Sequence, residues 1–145
     1  MTGVEVNMVT SDSPAALVLY EAIFGDGVER VEVTALPKGQ NEAVFSLYGT
    51  RIHMLDENPE FGMVAPKEGD PKPIWLNVVV PDIAATWKRA MEAGCVEIQP
   101  VTEIPSHGVS NAMFSDPYGY IWLLHQIHRE VSFEERMASY ETGQS

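Results

Sequence analysis

Two short stretches, VNMVTSD at residues 6–12 and LNVVVPD at residues 76–82, each carry an asparagine inside an apolar run and an aspartate five positions later. A buried amide on a strand needs hydrogen-bond partners, so Asn7 and Asn77 either bond each other across a pseudo-twofold axis or hold a ligand. Asp12 and Asp82 stand where helices begin and read as helix-start residues, not as catalytic carboxylates. The imidazoles of His53, His107, His125 and His128 can move protons near neutral pH or bind a metal. Of these, His107 falls in a turn and His128 at the exit of the last strand, positions expected to be exposed. Cys95 follows Gly94 at a helix-to-strand corner with no base beside it, so it reads as a small buried residue rather than a nucleophile. The chain has no glycine-rich phosphate loop, Ser-His-Asp order or zinc-finger spacing.

These groups need strands and helices to position them, and the chain supplies the elements twice. SPAALVLYEAIFG and IAATWKRAMEAG read as amphipathic helices ended by Gly25 and Gly94, the residue type that best takes a left-handed C-terminal conformation. Ser13-Pro14 offers an N-cap followed by proline in the first turn, and Asp82 caps the second helix. Strand-like runs follow at about 28–36, 42–48 and 51–56, and again at about 96–104, 109–115 and 120–127. Turn chemistry separates them at 37–39, 48–49, 105–108 and 116–119. Each half is therefore βαβββ, an α+β pattern, with module one at about 3–57 and module two at about 74–128. One module alone would leave the sheet face opposite its helix open, so the two are expected to pair. The connector, about 58–73, is rich in proline, glycine and charge. Ser132 and Glu135 have capping-box spacing, which predicts a third short helix within 131–145 before the polar tail ETGQS.

With 145 residues and 45% hydrophobic content, the chain can bury a core as one domain, expected over residues 1–130. Nine Lys+Arg against 21 Asp+Glu give a net charge of −12. That charge disfavours nucleic acid and anionic membrane surfaces and leaves polar or cationic small molecules as partners. A single cysteine cannot form an internal disulfide. The N-terminus MTGVEVNMVT lacks signal-peptide features, and no run approaches the roughly 20 apolar residues of a membrane span. A cytoplasmic soluble protein is the expectation.

The tandem βαβββ pattern, with strand–Asp–helix openings and Asp-Pro-x-Gly before the last strand, resembles the vicinal oxygen chelate superfamily of glyoxalases, bleomycin-resistance proteins and dioxygenases. The resemblance covers about residues 3–128. MLDENPEFG at 54–62 and DPYGYIWLLHQIHREVSFEERM at 116–137 are similar to its PhnB-like branch. The resemblance implies two modules forming a cup-shaped mixed sheet with helices on the outer face, commonly with a divalent metal on the cup floor. Metal-dependent members draw one ligand from the first and last strand of each module, usually His, Glu, His and Glu. Mapped strand by strand, those places fall on Glu5, His53, Trp75 and Leu123.

Tryptophan and leucine cannot ligate a metal, and two ligands are too few for a firm zinc site. The expectation is therefore no cofactor, with a divalent metal on Glu5 and His53 as the weaker alternative. Those two residues equally suit an acid–base pair, a ligand contact or a structural polar pair. Trp75 offers a stacking and cation–π surface, or else is a core aromatic. Strand alternation brings Asn7 and Val9 to the face of Glu5, Asn77 and Val79 to that of Trp75, and Ile121 and His125 to that of Leu123. Val6, Met8, Leu76, Val78, Val80, Trp122 and Leu124 take the helix-covered side.

Catalytic candidates are thus Glu5 and His53, and ligand-binding candidates are Asn7, Trp75, Asn77, Leu123 and His125. The leading functional expectation is a metal-independent protein that holds a small organic ligand, with net charge favouring a cationic one. The alternative is a lyase- or isomerase-type enzyme using Glu5 and His53. Resemblance also implies a homodimer, which could build its sites across the chain interface.

Overall fold

In the computed structural model, which describes residues 2–143, the sequence repeat returns as a repeat of strand register. Asn7 lies beside His53 in one sheet, and Asn77 lies beside Leu123 in the other, both displaced by 70 residues. The chain divides into two units, one running to Pro71 and including Pro117–Gly119, the other formed by the remainder.

The first unit contains β1 (Val6–Thr10), α1 (Ser13–Phe24), β2 (Val28–Val33), β3 (Glu42–Leu47) and β4 (Thr50–Asp56), with sheet order β1-β4-β3-β2. In the second unit β5 (Leu76–Val79), α2 (Ile83–Glu92), β6 (Val96–Ile104), β7 (Val109–Ser115) and β8 (Ile121–Ile127) give the order β5-β8-β7-β6. First and fourth strands pair in parallel; the other neighbours are antiparallel. A third helix, α3 (Phe133–Glu141), follows. Gln144 and Ser145 of the polar tail lie outside the described residues, as does Met1. No helix among the described residues is long and apolar enough to cross a membrane.

Alternation sorts the strand residues as expected. Met8, Ile52, Met54, Ala43 and Phe45 are buried in the first unit, as are Val78, Trp122, Leu124, Ala112 and Phe114 in the second. Tyr20 of α1 stacks near Phe45, with ring centroids 6.1 Å apart, and Trp87 of α2 meets Phe114 edge-on at 6.3 Å. Burial of such large side chains is worth about 1.5–3 kcal/mol each and holds each helix to its sheet.

The start of α1 corrects one reading. Asp12, not Ser13, is the N-cap, accepting from Ala15 N at 3.1 Å, while Ser13 is the first helical residue. The Ser13 N–H instead donates to Asp56 Oδ1 at 2.8 Å, and Asp56 Oδ2 accepts from Gly39 N and Asn41 N at 3.0 and 2.9 Å. One buried carboxylate thus ties the end of β4 to the start of α1 and to the 37–41 turn. Burial alone would raise its pKa, but the N–H groups of Ser13, Asn41 and Gly39 outweigh it and hold the carboxyl below the usual range. In the second unit the equivalent place is Gln126, whose Oε1 accepts from Ile83 N at 2.9 Å.

The strand expected to 36 ends at Val33, because Arg30–Glu32 carries a register shift and Pro37 has no N–H to continue pairing. β6 keeps its full length despite Pro100, since it is an edge strand with two register shifts. In the 116–119 turn, Asp116 Oδ2 accepts from the buried Trp122 indole at 2.7 Å, and Oδ1 accepts from Tyr120 N at 3.1 Å. Gly119 has φ +89°, and a Cβ there would fall 2.6 Å from the Pro66 carbonyl oxygen, so no side chain fits.

Candidate functional site

His53 lies on the face of β4 opposite α1 and is clamped on both sides of its ring. Glu5, just before β1, places Oε1 3.2 Å from Nδ1, while Glu42 of β3 places Oε2 3.3 Å from Nε2. Arg51, two residues earlier on the same face, donates from Nε to Glu5 Oε2 at 2.7 Å. The guanidinium, then the imidazole, hold the Glu5 carboxyl below its ordinary pKa. The first unit therefore presents a half-exposed chain Arg51–Glu5–His53–Glu42, linked by side-chain contacts of 2.7, 3.2 and 3.3 Å.

Sequence reasoning paired Glu5 with His53, and the structure brings them together; it missed Glu42 and Arg51. The signal for Glu42 was the two-residue turn at Tyr48-Gly49, where both φ values are positive, as a tight hairpin requires. That turn sets Val44 opposite His53, which leaves Glu42 as the diagonal same-face neighbour. Asn7 is exposed on β1 beside His53.

The corresponding places in the second unit hold no such network. Trp75, before β5, is 47% exposed, which rules out the core-aromatic reading. Asn77 is exposed beside the half-buried Leu123. His125, two residues on, is half-buried, and desolvation lowers its pKa, favouring the neutral ring. It lines a cavity of about 810 Å³.

The donor set does not fit the divalent ion that the superfamily implies. Two of the four ligand places are an indole and an isobutyl group. Both His53 nitrogens face carboxylates, so a metal could reach the ring only by displacing one. Among the described residues no cluster of three or more His, Cys, Asp or Glu could hold a metal ion.

Of the remaining groups, Cys95 is buried, and desolvation followed by the charge of Asp116 pushes its thiol up to about 12. His128 is exposed and pairs its Nε2 with Ser110 Oγ at 2.8 Å. His107 departs from the exposed position expected of it. It is half-buried, its ring 5.6 Å from that of Tyr140 on α3, because the helix returns over the turn that carries it.

The chain is similar to proteins already described. It is 26% identical over 136 residues to an uncharacterized protein of Mycobacterium bovis, covering 92% of this chain and 88% of the relative. Its fold matches a mutant of the fosfomycin resistance protein FosX from Listeria monocytogenes, complexed with Mn(II) and 1S,2S-dihydroxypropylphosphonic acid. That match has TM-score 0.66 and 14% identity, covering 97% of this chain and 98% of that one. A PhnB protein from Bacillus cereus matches with TM-score 0.62 and 17% identity, over 86% and 99% of the two chains. The family model for the glyoxalase, bleomycin resistance protein and dioxygenase superfamily matches residues 4–124, and the chain belongs to that superfamily.

Proposed function

We propose that this protein is a metal-independent member of its superfamily that binds a small organic molecule. The observation that carries the reading is the clamp on His53: the one imidazole at a metal-ligand place meets carboxylates through both nitrogens, at 3.2 and 3.3 Å. A ring so engaged can offer neither nitrogen to an ion unless a hydrogen-bonded network is dismantled. In the second unit the exposed indole of Trp75 and the face bearing Asn77, Leu123 and His125 suit an organic guest, and in the first unit Asn7 is exposed beside His53. Glu5 and Glu42, with the net charge of −12, favour a polar or cationic one on the first unit's face. A homodimer and a cytoplasmic setting complete the proposal.

A second reading, acid–base catalysis of lyase or isomerase type, draws on the same clamp. Glu5 is then a poor proton acceptor because Arg51 holds it ionised, so His53 is the group that moves the proton and the carboxylates orient it. The deciding experiment is elemental analysis of protein purified without chelator or metal-bearing tag, followed by calorimetric titration with Zn²⁺, Ni²⁺, Mn²⁺ and Fe²⁺. Wild type and His53→Ala are expected to behave alike, with no stoichiometric binding. Stoichiometric metal that the variant loses would overturn the proposal in favour of an atypical metal site.

A further inference from the structure

The second unit holds an accessible cavity of about 810 Å³ between its sheet and the segment leading into α3. Ile104, Val109 and Ile127 line it from the strands, and Val131 and Tyr140 line it from the C-terminal segment. Its size falls within the range of small-molecule sites, about 300–1,000 Å³. Three buried side-chain atoms lack a hydrogen-bond partner among the described residues: Ser106 Oγ, His107 Nε2 and His125 Nδ1. Both imidazoles line this cavity, while Ser106 lines a smaller one of about 350 Å³ against the same helix. Unpaired buried polar atoms are rare, and where they gather a partner is missing. A ligand that brings both an acceptor and an apolar body would serve these atoms and also cover Ile127 and Tyr140, which are 52% and 58% exposed.

The charged lining tells which partner fits. Arg129 is committed, donating to the Pro105 carbonyl at 3.1 Å and lying 3.7 Å from Glu135. Arg136, its guanidinium 5.7 Å above the Phe133 ring, carries positive charge and has no ion-pair partner among the described residues. Against Arg136 and two imidazoles stand Glu130 and Glu135, both exposed, and Glu135 lies beside Arg129. In the tautomers that place the proton on His107 Nε2 and His125 Nδ1, both imidazoles join Arg136 as N–H donors, whatever the charge of the whole chain.

We propose that this cavity binds an amphiphilic organic acid. Its apolar body lies against Ile104, Val109, Ile127 and Tyr140, and its carboxylate accepts hydrogen bonds from His107 Nε2, His125 Nδ1 and Arg136. The inference shares His125 with the proposal above but goes beyond it, since it adds His107, Arg136 and the C-terminal segment and names a ligand of opposite charge to the one favoured on the first unit's face.

Three probes of one shape and different charge test it: 1-naphthoate, 1-naphthamide and 1-naphthylmethylammonium, titrated calorimetrically into wild type, His125→Leu and Arg136→Gln. Hydrogen bonds to a charged group imply at least a ten-fold preference for the acid, and about a ten-fold loss in either variant. The ¹⁵N signals of His107 and His125 should move with naphthoate alone. Because Arg136 is exposed, its variant retains the fold and keeps the test valid if His125→Leu does not fold. No naphthoate binding at millimolar concentration, equal binding of all three probes, tighter binding of the ammonium, or variants that bind like wild type would each overturn it.

Discussion

Replacing Asp56 by asparagine changes one atom and should cost much of the first unit's stability. The carboxylate is 3% exposed and takes three backbone N–H bonds, of 2.8, 3.0 and 2.9 Å. Asparagine keeps an oxygen for Ser13 but sets an NH₂ group against the N–H donors of Gly39 and Asn41. Hydrogen bonds to charged groups are worth about 1.5–3 kcal/mol each, so losing two costs about 3–6 kcal/mol. That is a large share of a typical total of about 5–15 kcal/mol. The three tryptophans, Trp75, Trp87 and Trp122, all lie in the second unit. Urea denaturation should therefore be followed by far-UV circular dichroism rather than by fluorescence. The pH dependence has a definite sign. Because the folded pKa of Asp56 is depressed, its contribution is fully present above the unfolded value of about 3.9 and is lost as pH falls through the folded value. The gap between wild type and Asp56→Asn should accordingly be widest near neutrality and shrink below about pH 4. A loss under about 1 kcal/mol at pH 7, less than a single such bond, or a gap that stays constant to pH 3, would refute this account.

Gln126→Ala removes one neutral bond to Ile83 N at the equivalent place, and should cost only about 1 kcal/mol by the same assay. Gly119→Ala combines a left-handed φ of +89° with a Cβ 2.6 Å from the Pro66 oxygen, and should lower stability by about 1–3 kcal/mol, read as a lower urea midpoint. Cys95, with its thiol pushed up to about 12, should resist a thiol-reactive disulfide reagent at pH 8 until urea unfolds the chain. Rapid labelling of the folded protein would contradict its burial.

Much of the fold was legible because its signals are local. The Asn-to-Asp spacing, the alternation that buries Trp122 and Leu124 and the capping role of Ser132 depend on residues a few positions apart. Ser13 was misread as a cap for the opposite reason: the acceptor that claims its N–H is Asp56, 43 residues away. Likewise the role of Glu42 hangs on the register that the Tyr48-Gly49 turn sets, not on its immediate neighbours in the chain. Only pairing β3 with β4 puts it against the second nitrogen of His53.

By itself, then, the sequence determined the two βαβββ modules, the superfamily and the absence of ligating side chains at positions 75 and 123, because periodicity and residue type act along the chain. Tertiary structure alone decided which partners meet. It set Glu42 against His53, left Trp75 open, and folded α3 back over the turn carrying His107. Hydrogen bonds and cavities form between residues close in space, and closeness in space is settled only when strands pair and helices pack.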